Sequence, residues 1–443
     1  VGADLQKAAP LLLLLALGCG ASHGATGGPT SAAAAFTIKV QLASDIQSTA
    51  PTTVGIVTWS LNRPGLVGAH IDFGLDASYG MTAPVDLAQP DHRTVLIGMK
   101  PARTYHFQIV GRDASQTYTS GDQTLVTGPL PADFPIGSFS VQRPGAADTG
   151  FIIGSFWTTF SPSIGRTVFI IDTDGDYVWW YSNDNAGDGG STQGIARARL
   201  SANNHDVWLI DSDSFDPLHR VSLDTLDAQA YPHTAGSHDV CAVDGDTMAY
   251  IGYTRADTIV GTCDRVIEID KAGTTKEVFD STPVTGSGCH GNAIRYAAKQ
   301  DQYVFSDRLT DVFVLDRSGA LQWKLSDKVA GGNASWGGMQ HGVQLLDASL
   351  LIFANQAGGE GHSQAIEYGL DGSVIKKFTS RGGTDNLGDV QRLSNGNTFI
   401  NYSGLLQEVD PDDNVLLEMT PPSVLGYTEF RQNLYGPALD TQS

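Results

Sequence analysis

The chain has 443 residues, 41% of them hydrophobic, with 51 glycines and a formal net charge of −21. That length and apolar content allow two or three domains and a sizeable core. The acidic surplus repels nucleic acid at long range and no basic patch offsets it, so a nucleic-acid partner is not expected.

The apolar stretch from Ala8 to Leu17 is too short to span a bilayer. With Lys7 before it, it reads as a secretory signal over residues 1–19, which implies export to the periplasm or cell surface. Cys19 after Ala16-Leu17-Gly18 resembles a bacterial lipoprotein box, with Ala16 where that box usually has Leu. Two expectations stand side by side: an outer-membrane lipid anchor at Cys19, or a plain signal cut a few residues later. Residues 20–35 are small and polar and read as a flexible linker. Of the other cysteines, Cys241, Cys263 and Cys289, an exported chain can pair two, and spacing does not choose which. No CxxC pair occurs, so a thiolate zinc site is not expected.

From Phe36 to Pro131, FTIKVQL, TVGIVTWSL, AHIDFGL, TVLIGM, YHFQIVGRD and DQTLVTG are short alternating runs at sandwich spacing. They predict a β-sandwich over 36–131, and VLIGMKPARTYHFQIVGRD is similar to the strand-turn-strand of fibronectin type III domains. His70, His92 and His106 read there as surface or half-buried strand positions.

Beyond Pro131 the chain repeats. IIDTDGDYVWWY, VSLDTLDAQAY, IEIDKAGTTKEVF, FVLDRSGALQWKL, IEYGLDGSVIKKF and QEVDPDDNVLLEM are versions of one hairpin, spaced 41 to 53 residues apart. A propeller blade repeats every ~40–50 residues. The fold expected is all-β: an Ig- or fibronectin-III-like sandwich, then a six-bladed β-propeller over 132–437, with a tail at 438–443. GYTEFRQNLYG, Gly426 to Gly436, is expected to return and help close the ring. The Asp-Gly pairs read as hairpin turns rather than calcium loops.

Each repeat is preceded by a strand expected to line the centre. Aligned on the hairpins, His238, His290 and His341 take one place in three successive repeats, and Asp389 takes it in the sixth. Antiparallel folding about Lys299 puts Arg308 opposite His290, and Asn292 on the same face as His290. The same folding puts Tyr253 near His238, Asn355 near His341 and Ser403 near Asp389. Imidazoles, a guanidinium, amides and hydroxyls around one point suit an oxyanion, and transfer of a sulfuryl or phosphoryl group. Each residue also has a structural alternative. A strand-start histidine caps a carbonyl, Arg308 pairs with Asp307 or Asp311, and Asn292 and Asn355 bind turn backbone. His205, His219, His233 and His362 lack the shared register and read as surface residues.

The H-x-N of His290 and Asn292, Arg308 eighteen residues after that histidine, the HD of His238, the QHG around His341 and GDVQRLSNGNTFI from Gly388 to Ile400 resemble the bacterial PAPS-independent arylsulfate sulfotransferases. The resemblance runs from Phe36 to Pro437. It implies ping-pong transfer from a phenolic sulfate donor to a phenol acceptor through a sulfohistidine. It implies His341 as nucleophile, with His238, His290, Asn292 and Arg308 binding the sulfate. Tyr253, Asn355, Asp389 and Ser403 are further polar contacts expected from the hairpin register. No metal and no nucleotide or other cofactor is implied, and a homodimer is left open. Trp336 and Tyr427 are aromatic candidates for a phenol-binding rim. The competing readings are a metal-dependent propeller lyase or hydrolase holding Mn²⁺ or Zn²⁺ on three histidines, and a non-catalytic secreted binding module.

Overall fold

Period-two alternation is what makes this chain extended. In Thr104–Arg112, Tyr105, Phe107, Ile109 and Gly111 turn inward while the residues between them are more exposed. The computed structural model describes residues 34–436 apart from 133, 135–136, 158–165, 183–193, 212–217, 232–233, 254–263, 287–288 and 358–360. The expected signal, the linker before residue 34, Cys19, Cys263, His233 and the tail lie outside the described residues. The described chain is all-β, built of antiparallel sheets with only short helical turns. Among the described residues no helix is long and apolar enough to cross a membrane.

The N-terminal strands form two sheets. Phe36–Leu42 pairs Gly55–Leu61, which pairs Thr94–Leu96; in the second sheet Gly68–Gly74 lies between Gly80–Pro84 and Thr104–Arg112. Trp59, Ile71, Phe73, Phe107 and Ile109 fill the space between them. The strands Gly80–Pro84 and Thr117–Thr119 were not anticipated: they are short edge strands with little apolar alternation.

Six further sheets follow in chain order, each an antiparallel meander. Their outer two strands are the repeated hairpins of the sequence. The first strands are buried on both faces, as in Ile195–Leu200, Gly291–Ala297 and Gln340–Leu345, whereas the last strands, such as Ala228–Tyr231 and Val374–Lys377, are mostly exposed. Each sheet shares an apolar core with the next. The sixth shares one with the first, where Leu393, Phe399 and Leu417 meet Ile152, Phe169 and Trp180. Two strands distant in sequence complete the set. Glu429–Arg431 pairs Phe151–Ser155 to supply the first strand of the first sheet, as expected of the C-terminal segment; Ser140–Gln142, too short to stand out in the sequence, adds a fifth strand to the sixth sheet.

The N-terminal sheets are pinned to the first two meanders. Lys100 Nζ lies 2.8 Å from each of Asp172, Asp174 and Asp176, so the DTDGD turn is filled by an ammonium group. Arg93 pairs Asp224 at 2.5 Å, and the Tyr435 hydroxyl accepts from Ile97 N and donates to Val95 O. A cleft of about 440 Å³ lies at this junction, lined by Asp86, Arg93, His205, Asp206, Lys271 and Tyr435 among others; no candidate site residue lines it. Cys289 is disulfide-bonded and Cys241 is buried outside any disulfide, so Cys241 leaves the candidate pairs.

Candidate active site

The site is built where the first strands of the third, fourth and fifth sheets begin. Each breaks register at a candidate residue. The ladder slips between Gly236 and Val240 around His238, between Gly291 and Ala293 at Asn292, and between Gln340 and Val343 at His341. A bulge re-aims a side chain that regular pairing would send into a core. His238 has φ +67, a left-handed conformation that costs a β-substituted residue about 1–3 kcal/mol and clusters at functional sites.

The structure brings together His238, His290, His341 and Arg308. The His238 and His290 rings meet edge to face, centroids 4.8 Å apart. Burial, then the neighbouring His290, His341 and Arg308, push the His238 ring well below its ordinary range. Burial and then the Arg308 charge bring His290 down to about 4. Burial brings His341 down to about 4; its hydrogen bond to Asn355 works the other way and Arg308 adds to the fall. At neutral pH the three rings are therefore uncharged beside one guanidinium.

Arg308 is opposite His290, as the hairpin count places it: its N–H donates to His290 O at 2.9 Å. It pairs with neither expected carboxylate. Asp307 accepts the backbone N–H groups of His290, Leu309 and Thr310, and Asp311 accepts those of Val312 and Ser326. Among the described residues the side-chain contact of Arg308 is Nη2 to Met339 Sδ at 3.2 Å, and its Nε is buried without a hydrogen-bond partner. His290 Nε2 is likewise buried and unpartnered. A buried guanidinium nitrogen and a buried imidazole nitrogen, both with hydrogen-bonding capacity to spare, suit an oxyanion.

His341 is almost fully buried and its Nδ1 lies 2.6 Å from Asn355 Oδ1. Asn292 is buried; its Nδ2 donates to Gln340 O at 2.7 Å and its Oδ1 has no partner among the described residues. It therefore ties the fourth sheet to the strand that carries His341, with a second amide hydrogen to spare. Tyr253 ends its strand opposite Ala235, and its side chain lies outside the described ones.

Three expectations are corrected. Asp389 is not an open carboxylate at the pocket edge. It takes hydrogen bonds from Arg197 at 2.7 Å and Arg295 at 3.0 Å. Burial would raise its pKa, but Arg197, Arg295 and Arg199 outweigh burial and hold it below the usual carboxylate range. Arg197 also grips Asp239 at 2.6 Å, which makes a buried charge lattice beneath the histidines. Ser403 does not contact Asp389: its N–H donates to Asn401 Oδ1, its carbonyl accepts from Leu425, and its Oγ is buried with no partner among the described residues. Trp336 and Tyr427 are no rim. Trp336 is buried with its indole N–H on Gln340 Oε1, and Tyr427 is buried under Arg197, its hydroxyl donating to the Asn292 carbonyl. Tyr427 instead forms the floor, its ring centroid 6.2 Å from that of His341.

The residues missed in the sequence are Arg197, Arg295, Asp239 and Met339. A signal for the first was present: IARARL sets arginines in alternation on a strand whose every residue is buried. His205 and His362 are exposed and His219 is half-buried. Among the described residues no three His, Cys, Asp or Glu side chains are grouped to share a metal ion.

No family model matches the chain, and no curated protein matches it. Among solved structures, dihydro-heme d1 dehydrogenase NirN in complex with DHE is similar to this chain at 13% identity with a TM-score of 0.36. The match covers 64% of this chain and 59% of that one, so the chain spans less than two thirds of the length of the structure it matches.

Proposed function

We propose that the chain is an exported arylsulfate sulfotransferase, with a β-sandwich over residues 36–131 and a six-bladed propeller over 132–437 that carries the site. The sheet-to-sheet cores and the return of Glu429–Arg431 to the first sheet support the propeller. The observation that carries the function is the convergence of three neutral imidazoles on Arg308, a guanidinium without a carboxylate partner among the described residues.

In this reading the sulfate ester of a phenol binds with its oxygens toward Arg308, His238 and His290. The His341 Nε2 lone pair attacks sulfur. The N–S bond forms as the S–O bond to the ring breaks, and that electron pair leaves on the phenolate. The sulfonated imidazolium keeps its Nδ1 proton. A second phenol gives up its proton to the departing phenolate, directly or through solvent. Its oxygen then attacks sulfur, and the N–S pair returns to Nε2. Arg308 stabilises the equatorial oxygens in both steps. The reaction needs no cofactor.

A three-histidine metal site is less well supported. Arg308 stands where it would repel a cation, and among the described residues no three His, Cys, Asp or Glu side chains are placed to hold a metal ion together. The test is p-nitrophenyl sulfate with and without phenol. Nitrophenol release that requires an acceptor, and is lost in His341→Ala, is the expected result. No release with any phenol would sink the reading.

A further inference from the structure

Asn355 is tied down on every side. Its Nδ2 donates to Thr384 O at 2.9 Å and to Leu387 O at 2.8 Å. Both carbonyls belong to the connection between the fifth and sixth sheets. Ser363, fully buried, locks the same corner: its Oγ donates to Asn355 O at 3.0 Å and lies 3.1 Å from Thr384 O, and it accepts from Thr384 N at 3.0 Å. A flipped Asn355 amide would exchange two hydrogen bonds for two oxygen–oxygen contacts. The amide orientation is thereby fixed, and Oδ1 faces His341 Nδ1 at 2.6 Å.

An amide oxygen only accepts, so the proton between them belongs to His341 Nδ1 and the lone pair to Nε2. We propose that Asn355 is a positioning residue that holds His341 in the tautomer whose Nε2 can attack. This rests on the reading of His341 as nucleophile. The neutral amide has a further consequence. A carboxylate in its place would fix the same tautomer, but it would draw a proton onto the ring and face the Thr384 and Leu387 carbonyls with like partial charge. An amide orients the ring without adding charge. It also accepts more strongly as the ring becomes cationic in the sulfonated state.

The test begins on the unaltered protein. A ¹⁵N-histidine spectrum at pH 7.5, with the His341 signals assigned by their loss in His341→Gln, is expected to show a protonated Nδ1 and a bare Nε2. A proton on Nε2 would overturn the proposal with no other variant needed. In folded Asn355→Leu the spectrum is expected to show both tautomers, and kcat with p-nitrophenyl sulfate to fall about 100-fold while KM changes little. In Asn355→Ala, added acetamide is expected to restore part of kcat. An Asn355→Leu variant with unaltered tautomer and kcat would also overturn the proposal. If the unaltered protein turns over no aryl sulfate, the transfer reading falls, and its own spectrum still decides the tautomer.

Discussion

Arg308 and His290 face each other across adjoining strands, joined by the Arg308 N–H and the His290 carbonyl at 2.9 Å, while Arg308 Nε and His290 Nε2 stay buried with no partner among the described residues. An unsatisfied buried polar group costs about 1–3 kcal/mol. In the proposed reading a bound oxyanion satisfies both groups and offsets that cost. Arg308→Ala is expected to lower kcat/KM for p-nitrophenyl sulfate by about 100-fold or more, the usual loss for a donor aimed at a developing oxyanion. The melting temperature without substrate should stay the same or rise. Arg308→Lys should recover only part of the activity, because an ammonium lacks the planar fork. A large loss of stability in Arg308→Ala would instead make the arginine structural.

The histidine shifts set a pH dependence. His290 and His341 both titrate at about 4, below their ordinary 6.5. A nucleophilic His341 must be neutral, so the acid limb of kcat/KM is expected near pH 4 rather than 6.5. Arg308→Ala removes a charge that disfavours the imidazolium, so its limb should move to higher pH. Stability follows the same sign. Below about 6.5 the unfolded chain takes up protons that the folded rings refuse, so this contribution is full above 6.5 and is lost as pH falls toward 4. Urea unfolding between pH 7.5 and 4.5, repeated on His290→Gln, should show a shallower decline in the variant.

If the chain transfers sulfuryl groups as proposed, charge also selects the transferred group. One guanidinium and three neutral rings give the site a single positive charge, which matches the monoanionic sulfate ester. A phosphate monoester brings a second negative charge above pH 7. Two unit charges 4 Å apart interact by about 4 kcal/mol at an effective dielectric of 20, so an unmatched one is a large penalty. p-Nitrophenyl phosphate is expected to turn over at least ~100-fold more slowly than the sulfate. Comparable rates, measured side by side at pH 8, would refute this account of specificity.

What could be read from the sequence is what the chain encodes locally. The repeated hairpins show because alternation and an Asp-Gly turn sit within a dozen residues. Asn355 beside His341 and Arg308 beside His290 follow from counting along one hairpin. Asp389 was misplaced because its partners come from elsewhere: Arg197 from the second sheet and Arg295 from the fourth reach it across the centre. No spacing within the sixth repeat records them. Trp336 and Tyr427 failed for a related reason. An aromatic residue near a site reads the same whether it opens to solvent or packs beneath, and burial is set by neighbours distant in sequence. The bulges at His238, Asn292 and His341 also escaped notice, since a one-residue slip leaves composition unchanged.

Gly342 follows His341 and gives the sharpest steric prediction. A Cβ there would lie 2.2 Å from Asp389 Oδ1 and 2.7 Å from Asp389 Cα. The carboxylate cannot swing away, because Arg197, Arg295 and the Val390 N–H hold it. The backbone cannot retreat easily either, because Asp389 pairs with Asn401 in the sixth sheet. Gly342→Ala must therefore part the fifth and sixth sheets where His341 sits. The expected cost is about 1–3 kcal/mol, the usual penalty for overpacking, with a larger loss of aryl-sulfate turnover than of stability. Gly404→Ala is the control, since a Cβ at Gly404 meets nothing within 4 Å. It should leave both melting temperature and turnover unchanged. If Gly342→Ala behaved like Gly404→Ala, the close approach of the two sheets beneath His341 would be wrong.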